Sequence, residues 1–131
     1  MIRRKGPLQL AQTLVLKTKE LLKATGWHQG AYGDVHGAHC ILGAMNAVVN
    51  EGMDEVMDEV EHRPRTADSQ CLLLARSFAH DAILASIPAR HRKDDGIVSY
   101  NDSPQTTKSS VLRTLGRAIH QLDVEIQEAP E

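Results

Sequence analysis

The chain has 131 residues, 41% of them apolar and 24% charged, with a formal net charge of −2. This is the size and balance of a single globular domain, and it excludes a uniformly basic protein while leaving room for a local basic patch. Only 3% of the residues are aromatic. That disfavours a stacking platform for single-stranded nucleic acid, and a core of Leu, Ile, Val, Met and Ala favours helices over sheets.

The basic start MIRRKGPLQL is followed by no apolar leader core, and no run of about 18 apolar residues occurs. The reading is a cytoplasmic protein with neither signal peptide nor membrane span. A first helix is expected near Pro7, where a missing N–H is harmless. Leu10, Leu14, Leu21 and Leu22 would share a face, and Gly26 would stop the helix. Residues 27–38, WHQGAYGDVHGA, are glycine-rich and aperiodic, hence a long loop.

A second helix is expected from about His39, with Ile41, Leu42, Met45, Val48 and Val49 as its stripe. Gly52 is expected to interrupt it. MDEVMDEVEH then repeats with helical period and an acidic face, Asp54, Glu55, Asp58, Glu59 and Glu61. A third helix, capped by Thr66 or Asp68, is apolar around most of its girth from Cys71 to Ile87, which marks a central element. Pro88 ends it.

ARHRKDDG reads as a charged loop and Ile97 to Tyr100, IVSY, as one short extended segment. Asn101, Asp102 and Ser103 are turn chemistry. A last helix carries Val111, Leu112, Leu115, Ala118, Ile119 and Leu122 inward. Residues 1–6 and 127–131 read as frayed ends. The expected fold is therefore all-α, one domain over residues 1–131, a bundle of four to five helices.

The densest chemistry lies in DVHGAHCILGAM, residues 34–45. A thiol at a helix start meets the positive end of the helix dipole, which favours the nucleophilic thiolate. His36, four positions before Cys40, or His28 or His39 would then act as base, with Asn101 or Asp102 as orienter. The plainer and favoured reading makes Cys40 a small apolar residue in the first core turn; Cys71 reads the same way, both as buried free thiols. His28, His36, His39 and Cys40 also have zinc-type donors. Yet no C-x-x-C or H-E-x-x-H pattern occurs, and His39 and Cys40 would diverge by about 100° on a helix. No metal and no cofactor is assigned. The other histidines, His62, His80, His91 and His120, look isolated.

The cations Arg3, Arg4 and Lys5, then Arg90, Arg92 and Lys93, then Lys108, Arg113 and Arg117 would bind a phosphate backbone only if they converged. A solvated surface is the favoured alternative, so nucleic acid is a disfavoured partner.

Three pieces stand in a recognisable order: Gly26, Trp27, Gln29 and Gly30; then Cys40, Gly43 and Ala44; then Tyr100, Asn101 and Asp102 ahead of Ala118 and Ile119. This order resembles a small uncharacterised domain family of actinobacteria and their phages, whose pattern runs Gly-Trp-x-Gln-Gly, Cys-x-x-Gly-Ala, Trp-Asn-Asp. Tyr100 stands where that pattern has Trp, and His36 and His39 are outside it. The resemblance implies a cytoplasmic, phage-type accessory protein and no particular reaction. It shifts weight from the histidines to Trp27, Gln29, Tyr100, Asn101 and Asp102, as a binding or structural motif.

The expected function is binding of a macromolecular partner, a protein, with a homodimer as one form because the second and third helices are rich in apolar residues. A cysteine-dependent enzyme built on Cys40 is the alternative, and DNA binding the third reading.

Overall fold

The computed structural model of the chain describes residues 3–30, 38–55, 57–58, 63–64, 66–92 and 96–131, with backbone alone at 57–58, 63–64 and 66–67. These residues include five α-helices: α1 Lys5–Thr25, α2 Ile41–Glu55, α3 Thr66–Ser86, the short α4 Gly96–Asp102, and α5 Lys108–Glu128. A 3-10 turn, Ala89–His91, joins α3 towards α4. The all-α bundle expected from composition and period is what forms. No helix of the described residues is long and apolar enough to cross a membrane.

Helix α1 lies against α5, α3 and α2. Leu8, Ala11, Leu14, Val15, Thr18 and Leu22, spaced by three and four, are its buried side. Gly26 stops it as expected: its φ is +100°, where a side chain would be strained, and its N–H returns to the Leu22 carbonyl at 3.0 Å. Helix α3 packs against α1, α5 and α2, which accounts for its broad apolar girth, with Leu72, Ala75, Phe78, Ala79, Ala82 and Ile83 all buried. Helix α5 opens on a capping box: Ser110 N–H donates to Thr107 Oγ1 at 3.1 Å, and Thr107 N–H to Ser110 Oγ at 2.9 Å.

Four expectations change. Ile97 to Tyr100 is not extended but lies inside α4; burying Ile97 and Tyr100 three apart on one face outweighs the strand preference of Ile, Val and Tyr. Gly52 does not interrupt α2. A Cβ there would sit 3.2 Å from a Leu72 methyl, so its bare backbone lets α2 run close beside α3. The helical period of MDEVMDEVEH is not followed either: α2 ends at Glu55, and Met57–Asp58 pairs antiparallel with Arg63–Pro64. The acidic positions 59 and 61 lie outside the described residues. Finally, both thiols are free, but Cys40 and Cys71 are half-exposed rather than buried.

The chain ends, read as frayed, are hydrogen-bonded to one another. Lys5 N–H donates to the Pro130 carbonyl at 3.0 Å, and Arg4 reaches the Glu131 carbonyl at 3.3 Å. Arg3 donates to both oxygens of Glu125 at 3.0 Å and to Asp81 at 3.1 Å, with its guanidinium 4.5 Å from the centre of the Phe78 ring.

Candidate functional site: a pocket hung on Asn101

The corner between α3 and α4 is tied by Arg92, whose guanidinium donates to the Ile87 and Ala85 carbonyls at 2.8 Å, satisfying the end of α3. From there α4 is pinned to the core. The Tyr100 ring is 3% exposed, its hydroxyl 2.9 Å from Thr114 Oγ1 on α5. The His91 ring meets it edge-on at 5.6 Å and places Nδ1 3.1 Å from Ser99 Oγ.

Asn101 follows at 2% exposure and joins three parts of the chain. Its Oδ1 accepts the Trp27 indole N–H at 2.7 Å and the Ile41 backbone N–H, the first of α2, at 3.0 Å. Its Nδ2 donates to the His28 carbonyl at 3.1 Å and to Asp102 Oδ1 at 3.0 Å. All four amide valences are thereby used. Gln29 Nε2 bridges the Asn101 and Ser103 carbonyls at 3.1 and 2.9 Å, and Gly30 N–H donates to Asp102 Oδ1 at 2.8 Å. The loop is further clipped where Trp27 and His39 pair as an isolated parallel bridge. Trp27, Gln29, Asn101 and Asp102, far apart in sequence, therefore meet. Tyr100 does not join them; it points the other way, into the core.

Cys40 is the N-cap of α2. Its carbonyl accepts the Ala44 N–H at 2.9 Å, and its Sγ accepts the Gly43 N–H at 3.2 Å. This corrects its reading as a core-turn residue; Gly43 and Ala44, behind it, are the buried ones. His36 lies outside the described residues. His39 has its Nδ1 buried without a hydrogen bond. Among the described residues no group of three His, Cys, Asp or Glu side chains is arranged to hold a metal.

Beside this hub lies a half-open cavity of about 160 Å³ lined by Gly30, Cys40, Leu42, Ile97, Val98, Asn101 and Asp102. Leu42, Ile97 and Val98 make its apolar wall, Asn101 and Asp102 its polar edge. Oδ2 of Asp102 makes no hydrogen bond or ion pair among the described residues. Sequence reasoning missed the wall. The period of α2 places Leu42 in the core stripe and the composition of IVSY suggests an extended segment, whereas its helical form puts Ile97 inward and Val98 outward beside Asn101 and Asp102.

The fold and this site define a class: a small all-α bundle in which a buried asparagine ties a loop and two helix ends around a shallow pocket. The chain belongs to DUF6197, a family of unknown function, whose model matches residues 7–121, the whole of the hub and pocket included. No curated protein and no solved structure matches it.

Proposed function

We propose that the protein is a binding module that captures a partner protein by one anchor side chain in the Asn101 pocket. Size carries the reading. About 160 Å³ is the room a benzene-sized group needs, and it falls short of the several hundred Å³ of a drug- or nucleotide-sized site. An aliphatic side chain would lie along Leu42, Ile97 and Val98, and a donor group at its tip would meet the free oxygen of Asp102. The resemblance in motif order supports placing it as a cytoplasmic accessory protein of actinobacteria or their phages.

The test is affinity capture with quantitative mass spectrometry using the wild-type chain and Val98→Arg side by side. Val98 is 42% exposed, so the arginine plugs the pocket without entering the core. Proteins captured by the wild type and lost from the variant are expected; identical capture by both would sink the reading.

A cysteine-dependent enzyme is the second reading, favoured by one observation: Cys40 is on the pocket wall. Asn101 speaks against it, because its amide is fully used and cannot orient a histidine. An activated thiol predicts fast iodoacetamide labelling of Cys40 in the folded chain near neutral pH, well above that of Cys71. Equal, slow labelling ends this reading.

A further inference from the structure

The cations that the sequence scatters are sorted by the fold into two groups with different fates. Arg3 and Lys5 are consumed by Asp81, Glu125 and Glu131. Lys19, Arg113, Arg117 and His120 are not: among the described residues none of them has an acidic partner.

Arg113, Arg117 and His120 share α5, and Lys19 is brought beside that helix because α1 and α5 run antiparallel, held by Gln12 Nε2 on the Ile119 carbonyl at 3.1 Å and by Lys108 Nζ on the Lys23 carbonyl at 3.3 Å. Between those ties α5 carries Gly116, and a Cβ built there would meet Lys19 Nζ at 3.4 Å. The missing side chain lets the Lys19 ammonium reach across onto α5. Gly116 also lies in a shallow, open groove of about 510 Å³ on α5, lined by Arg113, Gly116, Arg117, His120 and Gln121.

Both arginines are already held, and by uncharged groups. Arg113 Nη1 donates to Ser109 Oγ at 3.2 Å; Arg117 Nη2 donates to Thr114 Oγ1 at 3.0 Å and to the Ser86 carbonyl at 3.2 Å. Each guanidinium keeps its charge and further N–H donors, with less side-chain entropy left to lose on binding.

We propose that this groove on α5 binds an acidic helical segment of a partner protein, independently of the Asn101 pocket. Arg113 and Arg117 are one helical turn apart, about 6 Å, the spacing of carboxylates at i and i+4 on a facing helix, which arginine can grip bidentately. Leu16, 44% exposed on α1 one turn before Lys19, offers apolar contact beside the charges. A nucleic-acid backbone fits less well. Three or four cations neutralise few phosphates, the chain carries a net charge of −2, and Phe78 and Tyr100 are buried and offer bases no ring to stack on.

The probe is a fluorescein-labelled helical peptide of Ala and Leu with Glu pairs at i and i+4, compared with its Gln counterpart and with a labelled DNA duplex, by anisotropy at low salt. The Glu peptide is expected to bind at least about tenfold more tightly than the Gln peptide. Arg113→Glu/Arg117→Glu should weaken it about tenfold or more, as two reversed surface contacts imply. Lys19→Glu should weaken it less, and Val98→Arg not at all. Circular dichroism of the variants confirms that the bundle is retained, as both arginines are exposed. Equal binding of Glu and Gln peptides, unchanged binding by the double variant, or tighter binding of the duplex than of the Glu peptide overturns the proposal; the last outcome would assign the face to phosphate.

Discussion

At the scale of single residues the molecule turns on Asn101. Its carboxamide satisfies two N–H groups that have no other acceptor among the described residues, those of Trp27 and Ile41. Asn101→Ala leaves both stranded, at a cost of about 2–4 kcal/mol from two unsatisfied donors. Urea unfolding should show a lower midpoint with little change of slope, and the single Trp27 reports it by fluorescence. A loss below about 1 kcal/mol would mean that water replaces the amide at no cost and that the hub is not structural. Tyr100→Phe is predicted to be milder, about 1 kcal/mol, because Thr114 Oγ1 keeps its bond from Arg117.

At the scale of elements the decisive piece is α4, seven residues long. Alone it would not be stable. It is helical because Ile97 and Tyr100 are buried on one face while Asn101 ties its C-terminal end to Trp27 and Ile41. Ile97→Thr should therefore loosen α4 and the pocket together. Hydrogen exchange is expected to speed at 97–103 and at the first turn of α2, while α5 stays protected. Uniform acceleration over the whole chain would instead make α4 part of the global unfolding unit. The start of α5 offers an independent check: Thr107→Ala removes one half of a capping box and should cost about 1 kcal/mol by urea unfolding.

At the scale of the whole molecule, the bundle is closed by its own ends. Arg3 joins α1's start to Asp81 on α3 and Glu125 on α5 while stacking on Phe78. The pairs are about a third exposed at Arg3 and Glu125 and more than half at Asp81, and so screened. Together with the ring contact they support a predicted loss of about 1–2 kcal/mol for Arg3→Ala, reduced by salt if the charges dominate and insensitive to it if the ring does. The apolar girth that suggested a second copy is largely used within the chain: α3 sits against α1, α2 and α5, and Leu73 is its one exposed large apolar residue among those described. Light scattering over a range of concentrations should return the monomer mass. A rise in mass that Leu73→Lys abolishes would restore the dimer.

What the sequence determined by itself was whatever depends on local pattern. The period of three and four in LAQTLVLKTKELL and VLRTLGRAIHQL, with Gly26 and Pro88 as stops, is enough to place α1, α3 and α5, because amphipathic helices of some twenty residues carry their own signal. The order of Trp27, Gln29, Cys40, Asn101 and Asp102 was legible too, though not its meaning. Tertiary structure alone decided the rest, for one physical reason: contacts between residues separated in the sequence outweigh local preference. They make a helix of IVSY and turn Cys40 from a core residue into a cap on a pocket, while the local pairing of Met57–Asp58 with Arg63–Pro64 follows the end of α2. The long-range contacts also fill the valences of Asn101, and they bring Lys19 onto α5 at Gly116, a glycine that nothing in the linear sequence marks.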